Sequence, residues 1–127
     1  MNKQILSFLE KKTKFLVERH SLIKAIFVYG SAARKNKKPN DVDCVAIVDD
    51  TSEKFKPTVL DYIETELREI TEEADKKMKI DLHFQSPRPL SVWWDSLRSG
   101  EPWVMTAVKD AYILYDPSDY IAPLKSL

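Results

Sequence analysis

The sequence predicts a single α/β domain, residues 1–127, in which a small β-sheet is flanked by helices. Unbroken apolar runs at residues 25–29 and 44–48 are typical of strands buried on both faces. They alternate with longer segments, residues 2–20 and 56–75, whose apolar side chains recur at helical spacing. With 127 residues, 43% of them hydrophobic, the chain is long enough for one core and too short for two ordinary domains.

Both long segments carry a clear amphipathic pattern. In residues 2–20 the apolar side chains fall mostly three and four positions apart, with Lys and Glu between them. Pro57 suits the first turn of the second helix. Its apolar side chains step by four, four, three and four, and they are Val59, Ile63, Leu67, Ile70 and Ala74. Each segment is therefore predicted to place one apolar face on the sheet.

A glycine and a serine directly follow the first strand. Gly30 lets an anion approach the main chain, and residues 31–34 have the composition of a first helical turn with Ser31 in the capping position. The unpaired N–H groups of such a corner suit phosphate. By itself a Gly-Ser pair is common, so the corner alone is a weak signal.

A basic loop follows the corner. Four cations, Arg34, Lys35, Lys37 and Lys38, lie within five residues, and residues 39–40, Pro-Asn, indicate a turn. Two interpretations stay open for this loop: it is solvated, or it contacts phosphate or nucleic acid. Asp41 and Asp43 follow directly, and their closeness makes contact with phosphate as plausible as a solvated loop.

Three aspartates are the candidate metal ligands. Asp41 and Asp43 lie two positions apart, so on an extended chain both carboxylates point to one side. Two such charges repel unless a cation lies between them, which suggests a hard cation carrying phosphate oxygens. Residues 79–85 alternate between apolar and polar, as a strand with one core face does. Asp81 on this strand is solvent-exposed if judged alone, but beside Asp41 and Asp43 it completes an oxygen-ligand set for Mg²⁺.

The last third of the chain is rich in tryptophan. Trp93, Trp94 and Trp103 fall on two short predicted helices, the second of which begins near Pro102, and a strand-like run at 111–115 follows. Aromatic stripes are usually core. So many indoles in a small domain also suggest contact with a second subunit or another protein.

Composition excludes several functional classes. The 20 basic and 20 acidic residues balance, so no overall field attracts nucleic acid or an anionic membrane. Cys44 is the one cysteine, which rules out an internal disulfide and suits a buried residue in a reducing compartment. No apolar stretch approaches the about 20 residues of a membrane span, and the start lacks a signal-peptide core, so a cytoplasmic protein is expected.

Three motifs resemble those of the nucleotidyltransferase fold in the DNA polymerase beta superfamily, most closely its minimal nucleotidyltransferases (MNT). They are GSAAR at residues 30–34, NDVDCVAIV at 40–48 and IDLHF at 80–84. The order of the predicted elements fits this family from about residue 1 to 116. The resemblance implies a small mixed β-sheet flanked by helices.

The resemblance also implies a reaction: transfer of a nucleoside monophosphate, AMP from ATP, to an acceptor hydroxyl with release of pyrophosphate. Catalysis would use two Mg²⁺ ions, both held by Asp41 and Asp43, while Asp81 binds one of them and takes the acceptor's proton. The implied nucleotide-binding residues are Gly30, Ser31 and Arg34.

Size and two departures from the family pattern bear on function. Lys35 stands where members usually have glycine, Asn40 stands where they have serine, and the loop is one residue short. With no room for a second domain, the acceptor pocket is expected to be completed by a HEPN-type helical partner protein or by a second copy. The alternative function is an antitoxin-like protein that masks its partner with little or no catalysis. Polynucleotide synthesis is not expected, and the acceptor, the preferred base and the oligomeric state stay open.

Overall fold

A computed structural model of the chain describes residues 1–33 and 41–126. The described elements are helices α1 (Lys3–Arg19), α2 (Pro57–Met78), α3 (Leu90–Arg98) and α4 (Pro102–Lys109), strands β1 (Ile23–Tyr29), β2 (Asp41–Val48), β3 (Asp81–Phe84), β4 (Arg88–Pro89) and β5 (Tyr112–Tyr115), and 3₁₀ helices at Gly30–Ala33 and Ala122–Ser126. The predicted α/β class is confirmed.

The strands of the described residues form one mixed sheet in the order β3-β2-β1-β5, with β4 also paired to β2. β1 runs antiparallel to both β2 and β5. β2 runs parallel to β3 and to β4. This arrangement sets β2 in the middle of the sheet and brings β1 and β3 to its two sides.

Alternate residues of the strands fill two separate cores. Val28 of β1 and Cys44 of β2 point to the face that α1 and α2 cover. Phe27 and Val45 point to the opposite face, which α3 and α4 cover. The sheet is thus buried on both faces, as the continuous apolar runs of β1 and β2 predict. Cys44 is a free, buried cysteine, and burial raises the pKa of its thiol, which makes the thiolate scarce.

The helix ends follow from local chemistry. The Asn2 side chain accepts a hydrogen bond of 2.8 Å from the backbone N–H of Ile5 and so caps α1. Pro57 occupies the first turn of α2, as predicted. Lys79 ends α2 in the left-handed conformation, with φ at 53°. This sharp end turns the chain into β3 within two residues, which places Asp81 at the start of the strand.

Two predicted details are corrected. β2 begins at Asp41 rather than near Cys44, so both aspartates lie within the strand. Ser31 does not stand at the position before a helix: the short 3₁₀ helix already begins at Gly30, and Ser31 lies inside it.

Asp49 and Asp50, which directly follow β2, bind different partners. Asp49 accepts hydrogen bonds from the backbone and side chain of Thr51, as in a turn. Asp50 instead accepts bonds from the backbone N–H, at 2.9 Å, and hydroxyl of Ser91. Because Ser91 lies in the first turn of α3, Asp50 caps a helix that begins far along the chain.

The tryptophans divide between core and surface. Trp93 is fully buried and packs against Phe27, whereas the Trp94 side chain is 37% exposed. The hypothesis that all three form a contact surface is therefore wrong for Trp93.

None of the helices in the described ranges is long and apolar enough to cross a membrane.

Candidate active site

The three predicted carboxylates lie on two neighbouring strands at one end of the sheet. Asp41 pairs with Asp81, and Asp43 pairs with His83, in the parallel register of β2 and β3. Residues directly opposite one another on paired strands share a face of the sheet. Because the intervening Val42 and Leu82 point into the core under α1 and α2, the aspartates face the α3 and α4 side. The structure thus brings all three predicted residues to one face of the sheet.

Gly30 adjoins this acidic end from the other side of β2. It directly follows Tyr29, the β1 residue that pairs with Asp43. Gly30 has a φ of 74°, a conformation that side chains rarely adopt. A Cβ atom added at Gly30 would lie 3.5 Å from Oδ2 of Asp43. The glycine main chain and the Asp43 carboxylate therefore share one wall of the candidate site.

The electrostatics of Asp43 reflect its crowded position. Burial raises the pKa of this carboxyl, and the negative charges of Asp41 and Asp81 raise the pKa further, while His83 opposes them. Asp41 and Asp81 thus lie close enough to Asp43 to disfavour the ionised form of its carboxyl. A divalent cation would relieve that repulsion, so the chemistry of the donor set fits Mg²⁺.

The Asp81 side chain points toward a histidine. Its Oδ2 lies 3.1 Å from Nε2 of His83, and the two side chains are 69% and 57% exposed. Within the described ranges, no group of three or more His, Cys, Asp or Glu side chains is already gathered into a metal site. The strand register suits a shared cation, and the Asp81 side chain would have to turn from His83 toward Asp41 to bind it.

Tyr29 and Gln85 are polar neighbours of the site that the sequence pattern did not single out. The Gln85 side-chain amide donates a hydrogen bond of 2.5 Å to the Tyr29 hydroxyl. Burial raises the pKa of Tyr29, and the negative charge of Asp43 adds to the effect. This bond links β1 to the end of β3 across β2. The available signals were the polar phase of residues 79–85 and the position of Tyr29 just before Gly30.

The remaining predicted residues are described in part or not at all. Ser31 lies in the 3₁₀ helix that follows β1, at the predicted corner. Arg34 and the loop that departs from the family pattern, residues 35–40, lie outside the described residues. Nucleotide binding by Ser31 and Arg34 thus stays a prediction.

Three solved structures align with most of the chain. A toxin–antitoxin with AMP-PNP is 13% identical, with a TM-score of 0.49, and the alignment covers 92% of this chain and 81% of that one. A toxin–antitoxin MntA–HpeT mutant is 12% identical, with a TM-score of 0.49 and coverage of 92% and 81%. A third structure is of the tri-AMPylated Shewanella oneidensis HEPN toxin in complex with MNT antitoxin. It is 12% identical, with a TM-score of 0.47 and coverage of 94% and 80%.

No match was found among curated proteins. The sequence model of one family, described as the nucleotidyltransferase domain, matches residues 9–100. The matched span contains the Gly-Ser corner and the three aspartates, and it amounts to more than half of the chain. The resemblance found in the motifs at Gly30, Asp41 and Asp81 is thereby confirmed at the level of the superfamily. The chain belongs to the nucleotidyltransferase domain family.

Proposed function

We propose that the chain transfers AMP from ATP to an acceptor hydroxyl, carried by a partner protein, and releases pyrophosphate. One observation carries the proposal: the register of β2 and β3 sets Asp41 opposite Asp81, while Gly30 adjoins Asp43. Three carboxylates beside a glycine corner are groups that suit the metal-assisted attack of a hydroxyl on a phosphate. Membership of the nucleotidyltransferase domain family supports the same reaction class.

Each of these residues has its own task in the proposed reaction. The acceptor oxygen forms a bond to the α-phosphorus of ATP, the bond from that phosphorus to the bridging oxygen breaks, and pyrophosphate leaves with the electron pair. Asp81 accepts the proton of the acceptor hydroxyl. The backbone at Gly30 and Ser31 binds the departing phosphates, and Arg34 adds positive charge near them.

Asp41, Asp43 and Asp81 would hold two Mg²⁺ ions. When bound, these ions supply positive charge to the attacking and leaving oxygens, the mode of catalysis that two-metal sites share. Burial is the first cause of the raised pKa of Asp43, and the negative charges of Asp41 and Asp81 add to it. A bound cation would offset that repulsion, which supports this assignment. The exposed position of Asp81 leaves this carboxylate within reach of an acceptor.

A partner protein of the HEPN type, which is helical, is the proposed acceptor. The motif resemblance to the minimal nucleotidyltransferases suggests this class of partner. A second candidate function, masking of such a partner with little or no catalysis, is favoured by a specific observation. Asp81, the residue assigned to the acceptor's proton, contacts His83 on its own strand.

A labelling experiment separates the two functions. The protein would be incubated with Mg²⁺, ATP labelled at the α-phosphate, and the protein encoded next to it. We expect label on the partner with the wild type and at least about 100-fold less with Asp43→Asn or Asp81→Asn.

Asp49→Asn is the matched control, because Asp49 lies just beyond the other end of β2 and its side chain accepts hydrogen bonds from Thr51 in its own turn. This variant should label the partner as the wild type does. An unlabelled partner in a stable complex with the wild type would refute transfer and support masking.

A further inference from the structure

A mostly apolar cleft adjoins the Gly-Ser corner on the side away from β3. It has a volume of about 390 Å³, and its walls are Tyr29, Gly30, Pro102, Trp103, Thr106 and Ala107. This volume is within the range of pockets that bind small molecules, roughly 300–1,000 Å³. The sequence suggests a protein contact for Trp103, and the cleft offers this indole a different role.

The cleft and the acidic residues lie on the same face of the sheet. Tyr29 pairs with Asp43 across β1 and β2, and Trp103 contacts Tyr29 with ring centroids 6.2 Å apart. Gly30 forms part of the cleft wall and also adjoins the Asp43 carboxylate. A molecule that is bound at Gly30 can therefore extend into the cleft without crossing the sheet.

Three contacts hold the Trp103 ring in place. Its Nε1–H donates a hydrogen bond of 2.6 Å to Oε1 of Glu101. The guanidinium of Arg88 lies 4.9 Å from the centre of the Trp103 ring, a favourable cation–π distance. The Tyr29 ring meets the indole at 56°, and the Tyr29 hydroxyl is fixed in turn by Gln85. The cleft thus offers an aromatic wall whose polar edges are already satisfied.

The order of the strands decides which part of the reaction this cleft can serve. In-line attack on the α-phosphorus places the acceptor opposite the departing pyrophosphate. Asp81, which the proposed function assigns to the acceptor, lies on β3, whereas Gly30, assigned to the phosphates, follows β1 on the other side of β2. The cleft lies beside Gly30, on the nucleotide side, and not beside Asp81.

We propose that this cleft binds the nucleobase of the nucleoside triphosphate, stacked against Trp103 and Tyr29. The inference rests on the proposed function and adds the place where the donor's base is held. Aromatic side chains stack on any base, and removal of one such side chain weakens binding by roughly 5- to 150-fold. An aromatic wall of this kind favours a purine, with its larger ring, over a pyrimidine.

The test compares two ligands that differ in the base and its sugar. Binding of α,β-methylene ATP, which a nucleotidyl transferase cannot cleave, and of tripolyphosphate would be measured by calorimetry with Mg²⁺. Wild-type protein should bind the nucleotide at least about tenfold more tightly, and Trp103→Leu should bind both ligands about equally. Nucleotide should also quench tryptophan fluorescence in the wild type, and Trp103→Leu should abolish that quench.

Two further variants guard against misfolding. Thr106 is an exposed residue of the cleft wall, so Thr106→Met narrows the cleft without removing core packing and should weaken nucleotide binding alone. Trp94 is an exposed residue of α3 that does not line the cleft. The variant Trp94→Leu should therefore bind both ligands as the wild type does.

The outcomes are distinct. Nucleotide affinity that is unchanged in both Trp103→Leu and Thr106→Met overturns the base assignment and leaves the proposed function standing. Wild-type protein that binds neither ligand overturns the proposed function and the cleft assignment with it.

Discussion

Replacement of Gly30 by alanine separates the backbone requirement at the corner from its chemical role. Gly30 and Gly100 both have positive φ, 74° and 67°. At Gly30 an added methyl group would lie 3.5 Å from Asp43 Oδ2, an ordinary contact, and at Gly100 it would meet nothing within 4 Å. Neither variant is therefore penalised by a steric clash. Gly100, between α3 and α4, is a matched control for backbone strain.

The expected loss of stability is the same at both positions. Alanine in the left-handed region destabilises the folded state by about 1–2 kcal/mol. Alanine also lowers the conformational entropy of the unfolded chain, which offsets about 0.4–1 kcal/mol of that loss. The net destabilisation is about 1 kcal/mol for each variant. With an unfolding entropy of about 2.1 cal/mol/K per residue, a chain of 127 residues should lose about 4 °C in Tm.

The expected effects on the reaction differ. The methyl group of Gly30→Ala would stand between the main chain and an approaching phosphate, so transfer from labelled ATP should fall at least about tenfold. Gly100→Ala should transfer at the wild-type rate. Urea denaturation and the labelling assay measure the two effects on the same samples. Equal activity of the two variants would refute the phosphate role of Gly30, and an unchanged Tm in both would refute the argument from φ.

Three further predictions concern stability. Asp50→Ala removes the carboxylate that caps α3 at Ser91 and should lower the free energy of unfolding, measured in urea, by about 1 kcal/mol. Asp50→Asn keeps an acceptor oxygen and should retain most of that stability. Equal losses in the two variants would contradict capping. Lys79→Gly should stabilise the chain by about 0.5–1 kcal/mol, because φ of 53° suits glycine, and a lower Tm would refute this. Ion pairs with Lys12 and Lys77 lower the pKa of Glu73 from 4.5 to about 2. The stabilisation by these ion pairs is present above pH 4.5 and is lost as pH falls toward 2. Glu73→Gln should therefore be less stable than the wild type at pH 7, and the two proteins should be equally stable by pH 2.

The helices and the central strands could be predicted from the sequence because their apolar patterns are long. The step of four, four, three and four in residues 56–75 allows one helical face, and α2 buries Ile63, Leu67, Ile70 and Ala74. The runs that end at Tyr29 and Val48 have no polar residue to place at a surface, which predicts burial on both faces. These signals are local, so one sequence is enough to read them.

Features that depend on distant partners could not be read in the same way. β4 is a two-residue strand, Arg88–Pro89, whose pairing with β2 leaves no pattern in the sequence. Asp50 caps α3 from 41 residues away. Trp93 and Trp94 are neighbours in the sequence, but successive helical residues differ by about 100° in direction. Of these two, Trp93 is the one that reaches the core.

The candidate site shows the same division. Alternation in residues 79–85 predicted that Asp81 faces away from the core, and the structure places it there, exposed and on the expected face. The register that sets it opposite Asp41, and not Asp43, follows from the parallel pairing of two strands that α2 connects. The contact of Asp81 with His83 joins two residues that lie two apart on one strand and so share a face. The rotamers that these two exposed side chains adopt leave no pattern in the sequence.

The position of β3 has a consequence for what the site can accept. Among the described strands, β3 stands at one end of the sheet order β3-β2-β1-β5. Its Asp81 side chain is 69% exposed. On the proposed function, the donor nucleotide is bound in a cleft while the hydroxyl to be modified arrives at an open margin. An exposed sheet edge of this kind would select its acceptor by the shape of the partner's surface and not by an enclosed pocket. The identity of the modified residue would then be set mainly by how the partner docks.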